Sequence, residues 1–387
     1  MLQGLIDRIF TTRAIRVRLP GGHEFVAGPG VPELTAVIED ARTAAAIAAN
    51  PELALGEAYM SGAFRIEGGD IHDFLELVGS QQVQRPRPPK PGWRIKRALE
   101  QANDRRHARS NVHHHYDLTV DFYRLFLDED LQYSCAVFET PEATLEQAQI
   151  AKKQRLIDKL VLKPEQSVLD IGCGWGGLGL SLARAGAKVT GVTLSTEQHR
   201  TANERAAAAG LSDRADFRLQ DYRDQTGPFD RIVSVGMFEH VGVPHYQEYF
   251  DTVARLLDDD GVAVIHAIGR KSSPGRTQPW IRKYIFPGGY MPSLSEVLPA
   301  IERSGLWVSD MEILRLHYAE TLRHWRQRFM ARRDEALAMY DERFCRMWEF
   351  YLAASESAFR QYGHMVFQIQ LTKKPDAVSL TRDYLGA

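Results

Sequence analysis

Cysteine is almost missing from these 387 residues. The three present, Cys135, Cys173 and Cys345, are odd in number and widely scattered, so they form neither a full disulfide framework nor a zinc-ligand spacing. A reducing cytoplasm is the expected setting. Long apolar runs are missing too. Nothing approaches a membrane span, and MLQGLIDRIFTTRAIRVRL mixes apolar with charged residues where a signal peptide would have its apolar core. The chain is expected to be neither inserted nor exported. Nor does one charge prevail, since 48 Lys and Arg against 50 Asp and Glu leave a net charge of −2. That argues against a generally cationic nucleic-acid binder and leaves any anionic partner to a local patch. What is present is the composition of a folded protein: 44% hydrophobic and 25% charged residues, over a length with room for two or three domains.

Proline gathers in QQVQRPRPPKPGW, where it forbids regular helix and central strand, so this stretch reads as a linker. The expected division is a small N-terminal domain over 1–82, a Pro-rich then basic linker over 83–109, and a large domain over 110–387. In the first, Ile15, Val17 and Leu19 alternate like a strand, Gly21 and Gly22 make a turn, and PELALGEAYMSG is helical, which predicts a small α+β unit. In the linker Arg94, Lys96, Arg97, Arg105, Arg106 and Arg109 outnumber Glu100 and Asp104. This is either a solvated helix face or a surface that meets anions.

Beyond Lys163 the pattern becomes strand, glycine loop, helix, and repeats. SVLDIG, AKVTGVTL, DFRLQD, FDRIVSV and GVAVIHAIG read as strands. STEQHRTANERAAAAG and HYQEYFDTVARLL read as helices, the first with Ser195 as N-cap and Gly210 past its end. This alternation predicts an α/β fold with a parallel sheet covered by helices on both faces. After Ile313 an arginine-rich helical region runs to about Ala358, and HMVFQIQLT closes the chain as a strand.

VLDIGCGWGG carries the first chemistry. Gly172, Gly174, Gly176 and Gly177 let the backbone turn from strand to helix with no side chain between main chain and ligand, at the carboxyl edge of the strand. A glycine turn alone leaves dinucleotide binding and helix packing open. Here the spacing is GxGxGG, and Asp170 before the first glycine suits a cationic or hydroxylated ligand better than a pyrophosphate. Both favour S-adenosylmethionine over NAD. No Lys-Ser/Thr pair follows, which excludes a Walker-type site. His113, His114 and His115 are adjacent and cannot readily converge on one ion, so no metal is expected.

VLDIGCGWGG, GVTLSTEQ, LQDYRD and FDRIVSVGMFEHVG together resemble the cyclopropane-fatty-acyl-phospholipid synthases. The resemblance extends to HYD at 115–117, DFY at 121–123, YSCAVF at 133–138, IHAIG at 265–269, KYIFPGGYMPS at 283–293, and Tyr318 followed by Thr321, Leu322 and Trp325. One departure stands out: Thr119-Val120 occupies the place of the family's usual Gly-Asn. The resemblance implies a Rossmann-like class I methyltransferase fold with a seven-stranded, mostly parallel sheet. It implies methylene transfer from S-adenosylmethionine to the cis double bond of an unsaturated phospholipid acyl chain, with bound bicarbonate taking the proton that leaves the transferred carbon. The positions it assigns to that ion are Cys135, Glu239, His266, Ile268 and Tyr318. For the cofactor it assigns Tyr133, Ser134, Asp170, Gly172, Gly174, Thr193, Leu194, Gln198, Asp221 and Gly236. Methyl transfer without ring closure, giving a methyl-branched or methylene lipid, and a non-catalytic lipid-binding homologue are the alternatives.

Because such a substrate lies in a bilayer, peripheral association with the anionic inner membrane surface is expected. The cationic linker and Arg323, Arg326, Arg328, Arg332 and Arg333 would supply the attraction. A homodimer stays open. Phe238, Tyr284, Phe286, Tyr290 and Trp325 read either as core aromatics or as rings facing a cationic transition state.

Overall fold

A computed structural model of the chain describes residues 2–81 and 118–385. The Pro-rich and basic linker, the His113–His115 run and the HYD motif lie outside the described residues. Packing divides the chain into two compact units, one built from the N-terminal region with Thr277–Pro287 and Ala319–His364, the other from the rest.

In the first unit the alternating residues form β1 (Ile15–Arg18), which pairs antiparallel with β2 (Glu24–Ala27). The turn between them uses Gly21 and Gly22 at φ 81° and 82°, a conformation open to glycine at little cost. With β3 (Thr35–Ile38) and β4 (Phe64–Glu67) the sheet order is β2-β1-β3-β4. Helix Pro51–Ser61 ends at Gly62, whose φ is 77°. The helix Glu342–Gln361 packs on Pro51–Ser61 and on Ile71–Gln81.

A boundary drawn in sequence puts everything beyond residue 110 into one domain, whereas these later helices pack with the N-terminal elements. The physical reason is size: a sheet of four short strands with its own helices buries too little apolar surface alone. Trp280 and Phe350 from the later segments meet edge to face, with ring centroids 4.7 Å apart. The helical region after Ile313 is three helices, His317–Ala331, Arg333–Met339 and Glu342–Gln361. Its arginines are largely paired internally: Arg323 with Glu320, Arg326 with the buried Glu356, Arg332 with Glu335 and Arg333 with Glu342.

The second unit holds β5 (Ser167–Ile171), β6 (Lys188–Thr193), β7 (Ala215–Leu219), β8 (Phe229–Val235), β9 (Leu257–Arg270), β10 (Trp307–Leu314) and β11 (His364–Thr372). They form one seven-stranded sheet in the order β10-β11-β9-β8-β5-β6-β7. The β5–β6, β6–β7, β5–β8 and β8–β9 pairs are parallel, and β10–β11 is antiparallel.

Strand alternation sorts this sheet into two cores. Leu169, Ile171, Ile232 and Ile265 pack with Tyr249, Phe250 and Val253 of helix Tyr246–Leu256. Val168, Val233 and Val264 pack with Leu156 of helix Leu145–Lys159, Leu178 of helix Gly177–Arg184 and Ala202 of helix Thr196–Ala208. Asp170 therefore shares the face of Val168, the face covered by helix Leu145–Lys159. The expected N-cap is present, with Ser195 Oγ accepting from the Gln198 N–H at 3.3 Å. Thr119 fills a similar role where the family motif differs, capping the short turn Val120–Tyr123 by accepting from the Phe122 N–H. Among the described residues no helix is long and apolar enough to cross a membrane.

Candidate active site

Parallel strands end together at one edge of the sheet, and their following loops frame a cleft. Tyr133, Ser134, Asp170, Gly172, Gly174, Thr193, Leu194, Gln198, Asp221 and Gly236 all line it. Gly172 has φ 82°, and a Cβ there would stand 2.9 Å from the Met237 side chain. Gly174 has φ 54°, so the backbone turns past the ligand side in a form that side-chain-bearing residues rarely adopt.

At the end of β6, Thr193 Oγ1 donates to Gln198 Oε1 at 2.8 Å and accepts from the Ser195 N–H at 3.1 Å. Gln198 thus offers its amide nitrogen to a ligand. After β7, both Asp221 oxygens accept from Arg223, one from Nε at 2.9 Å and one from Nη2 at 2.6 Å. The carboxylate is oriented by that fork and by the Arg223 backbone N–H, which donates to Oδ1 at 3.0 Å.

Asp170 is buried, and its Oδ2 has no hydrogen-bond partner. Burial pushes its pKa up to about 7, opposed by the Lys152 ammonium. A buried oxygen left unsatisfied at the lip of a glycine turn is the mark of a group that a ligand completes. His240 also lines the cleft, and burial lowers its pKa to about 4, so its ring is neutral.

Lys152 was not expected here. Fully buried, it donates from Nζ to Gln132 Oε1 at 2.5 Å and to Ser134 Oγ at 2.9 Å, and burial lowers its pKa to about 8. An ammonium only donates, so the Ser134 hydroxyl hydrogen is turned away from Lys152 and is available to an acceptor. Gln149 supports the same loop, donating to the Ser134 carbonyl at 3.0 Å. In helix Leu145–Lys159, Gln149, Lys152 and Lys153 repeat at helical spacing like a solvated face, and only packing shows that they are buried. Buried polar stripes of this kind accompany hydrogen-bonded sites.

Of the residues assigned to the ion, the structure joins Glu239 to Ile268. Glu239 lies in the turn Phe238–His240 that follows β8, and its Oε1 accepts from the Ile268 N–H at 2.7 Å. Its Oε2 is buried without a partner, and burial raises its pKa to about 7. His266 sits on β9, its carbonyl accepting from the Gly236 N–H at 2.9 Å, which ties the cleft to this second group. Cys135 is fully buried, with its thiol 3.3 Å from the Ala136 carbonyl. Tyr318 is buried at the start of helix His317–Ala331. Among the aromatics, Phe238 stacks on Tyr246 and meets Tyr249 and Phe250, which makes it core. Tyr290 donates its hydroxyl to Glu296 at 2.8 Å, and its N–H goes to the Glu239 carbonyl. Tyr284 donates to Glu57 in the first unit, and Phe286 meets Tyr351 there.

Known proteins resemble this chain in sequence and fold. A family described as mycolic acid cyclopropane synthetase matches residues 103–369, and one described only as a domain of unknown function matches residues 1–85. A "probable fatty acid methyltransferase" of Pseudomonas putida is 37% identical over 94% of this chain and 92% of its own. The cyclopropane-fatty-acyl-phospholipid synthase of Escherichia coli is 39% identical over 83% of each chain. Mycolic acid cyclopropane synthase CmaA1, solved with SAH and CTAB, superposes with a TM-score of 0.64 at 35% identity over 68% of this chain and 97% of its own. The seven-strand sheet is thus that of the class I methyltransferases, and the chain belongs to the mycolic acid cyclopropane synthetase family.

Proposed function

We propose that the protein transfers a one-carbon unit from S-adenosylmethionine to the cis double bond of an unsaturated phospholipid acyl chain and closes a cyclopropane ring, with bicarbonate as base. The cleft suits the cofactor. Asp170 brings a buried carboxylate oxygen to a ligand bearing ammonium and hydroxyl groups, Thr193 and Gln198 stand at the strand end that meets a ribose, and Asp221 can accept from an adenine amino group. When bound, S-adenosylmethionine supplies an electrophilic sulfonium methyl. An isolated alkene is a weak nucleophile, so the protein's task is near-attack positioning away from water.

Glu239 carries the reading. A buried carboxylate with one oxygen fixed by Ile268 and the other unpartnered is an atom at which a proton can be accepted, and a pKa near 7 suits exchange at neutral pH. Bicarbonate beside it would be a like-charge neighbour unless the two share a proton, so Glu239 is assigned to accept the ion's hydroxyl. His266, the main chain of Cys135 and Ile268, and the Tyr318 hydroxyl complete the assignment.

Product mass decides between ring closure and simple methylation. With methyl-trideuterated S-adenosylmethionine and unsaturated phospholipid vesicles, the lipid is expected to gain a methylene with two deuteriums. Three deuteriums in a methyl branch would overturn ring closure and favour the second reading, fatty-acid methylation, to which the Pseudomonas relative's name points.

The same reading brings the protein to a bilayer surface. Internal partners on Arg323, Arg326, Arg332 and Arg333 reduce what the C-terminal helices contribute below the roughly 1 kcal/mol per basic residue of a free cationic patch. Sedimentation with anionic vesicles is expected to exceed that with zwitterionic ones and to fall as salt rises, since screening acts over about 10 Å at 0.1 M. Equal, salt-insensitive association with both lipids would refute electrostatic attachment.

A further inference from the structure

His266 and Gln368 lie on neighbouring strands β9 and β11, and both are buried. Gln368 Nε2 stands 3.1 Å from His266 Nδ1. Which ring nitrogen bears the proton depends on which end of the amide faces it, and the other end of Gln368 is fixed. Its Oε1 accepts from Lys159 Nζ at 2.6 Å. An ammonium has three donors and no acceptor, so the amide oxygen must face Lys159 and the amide N–H must face the imidazole.

Lys159 cannot easily turn away. Its Nζ also donates to Glu312 Oε2 at 2.5 Å, and Glu312 takes a two-pronged bond from Arg155 at 2.8 and 2.5 Å. Arg155 and Lys159 lie one turn apart on helix Leu145–Lys159, Glu312 on edge strand β10 and Gln368 on β11. Three elements thus converge to set one amide.

We propose that Gln368, oriented by Lys159, is a positioning residue that holds His266 in the tautomer with its proton on Nε2, so that the ring presents an N–H donor on the side away from Gln368. Burial, with Lys152 and Lys159 nearby, lowers the His266 pKa to about 3, so the doubly protonated ring does not compete. The use of that donor toward an anion beside Glu239 rests on the function proposed above; the tautomer does not.

The test is ¹⁵N NMR of the histidine-labelled full chain, with the His266 signals assigned by their loss in His266→Asn. Wild type is expected to show an unprotonated Nδ1 and a protonated Nε2 from pH 6 to 8. In Gln368→Glu the new side chain has only acceptors, so the proton is expected to move to Nδ1, with kcat falling at least tenfold and the KM for S-adenosylmethionine changing less than threefold. Should that variant fail to fold, Lys159→Met frees the amide to rotate and is expected to mix the two tautomers. A proton on Nδ1 in wild type, or an Nε2 proton that persists in both variants, overturns the proposal. A moved proton with full activity supports Gln368 as what sets the ring and instead sinks the catalytic reading of His266.

Discussion

Glu239→Gln is expected to lower turnover by about 10²- to 10⁴-fold, the range for loss of general-base assistance, because bicarbonate would lose the carboxylate that accepts its hydroxyl proton, while S-adenosylmethionine affinity stays within a few-fold of wild type. The amide can keep the Ile268 N–H on its oxygen, so the turn after β8 retains its shape. What disappears is the unpartnered oxygen that can take up a proton. Folding should not suffer, because a neutral amide replaces a carboxylate that burial already makes costly to ionise. Wild-type kcat should rise as pH passes through about 7 and Glu239 ionises, and the variant should lack that limb. Single-turnover rates with bicarbonate supplied, measured from pH 5.5 to 8.5, provide the check. A variant within threefold of wild type across that range would remove Glu239 from the chemistry.

Where the shape of the cleft depends on local backbone, it was readable in the residues. The glycine turn after β5 needs glycine at φ 82° and 54°, a demand written directly in VLDIGCGWGG. The strand ends that carry Thr193, Asp221 and Gly236 follow from alternating β and α elements, and those residues meet in one cleft as the motif implied. Lys152, Lys159 and Gln368 were illegible for the opposite reason. Each acts through a partner on another element: Lys159 and Gln368 are separated by 209 positions, and nothing local marks that hydrogen bond. A Lys or Gln on a helix or strand reads as a solvated side chain until packing closes over it.

Strand β10 escaped for a related reason. It lies at the sheet edge and is half exposed, so its residues lack the continuous apolar run that exposes β5 and β8 to sequence reading. The arginine-rich helices show the limit of charge patterns. Arg326 and Arg360 turn inward to the buried Glu356, a pairing that charge counts along the sequence do not reveal.

Asp170→Asn is expected to stabilise the ligand-free protein at pH 8 and to weaken S-adenosylmethionine binding about ten- to hundredfold. Asp170 ionises near 3.8 in the unfolded chain and near 7 in the folded one, so between those values the folded state holds a proton that the unfolded state has lost. Stability contributed by this group is therefore lost as pH rises through that window and is lowest above about 7. At about 1.4 kcal/mol for each pH unit of the window, the total is about 4 kcal/mol. Asparagine does not titrate, so the variant's advantage in urea denaturation should grow from pH 5 to pH 8. Lys152 is not stranded by the change, since Asp128 and Asp130 remain as opposite charges. The ligand side runs the other way. An ionised Asp170 can accept a charge-assisted bond, worth about 1.5–3 kcal/mol, that the amide oxygen gives only weakly. Below pH 7, binding to wild type must first displace the carboxyl proton. Calorimetric enthalpies in buffers of different ionisation heat should then reveal proton release in wild type and none from the variant. A variant that binds as tightly as wild type, or one that is less stable at pH 8, would show that Asp170 only supports the turn. Loss of both effects together with an intact cleft would move the cofactor's cationic group to another partner.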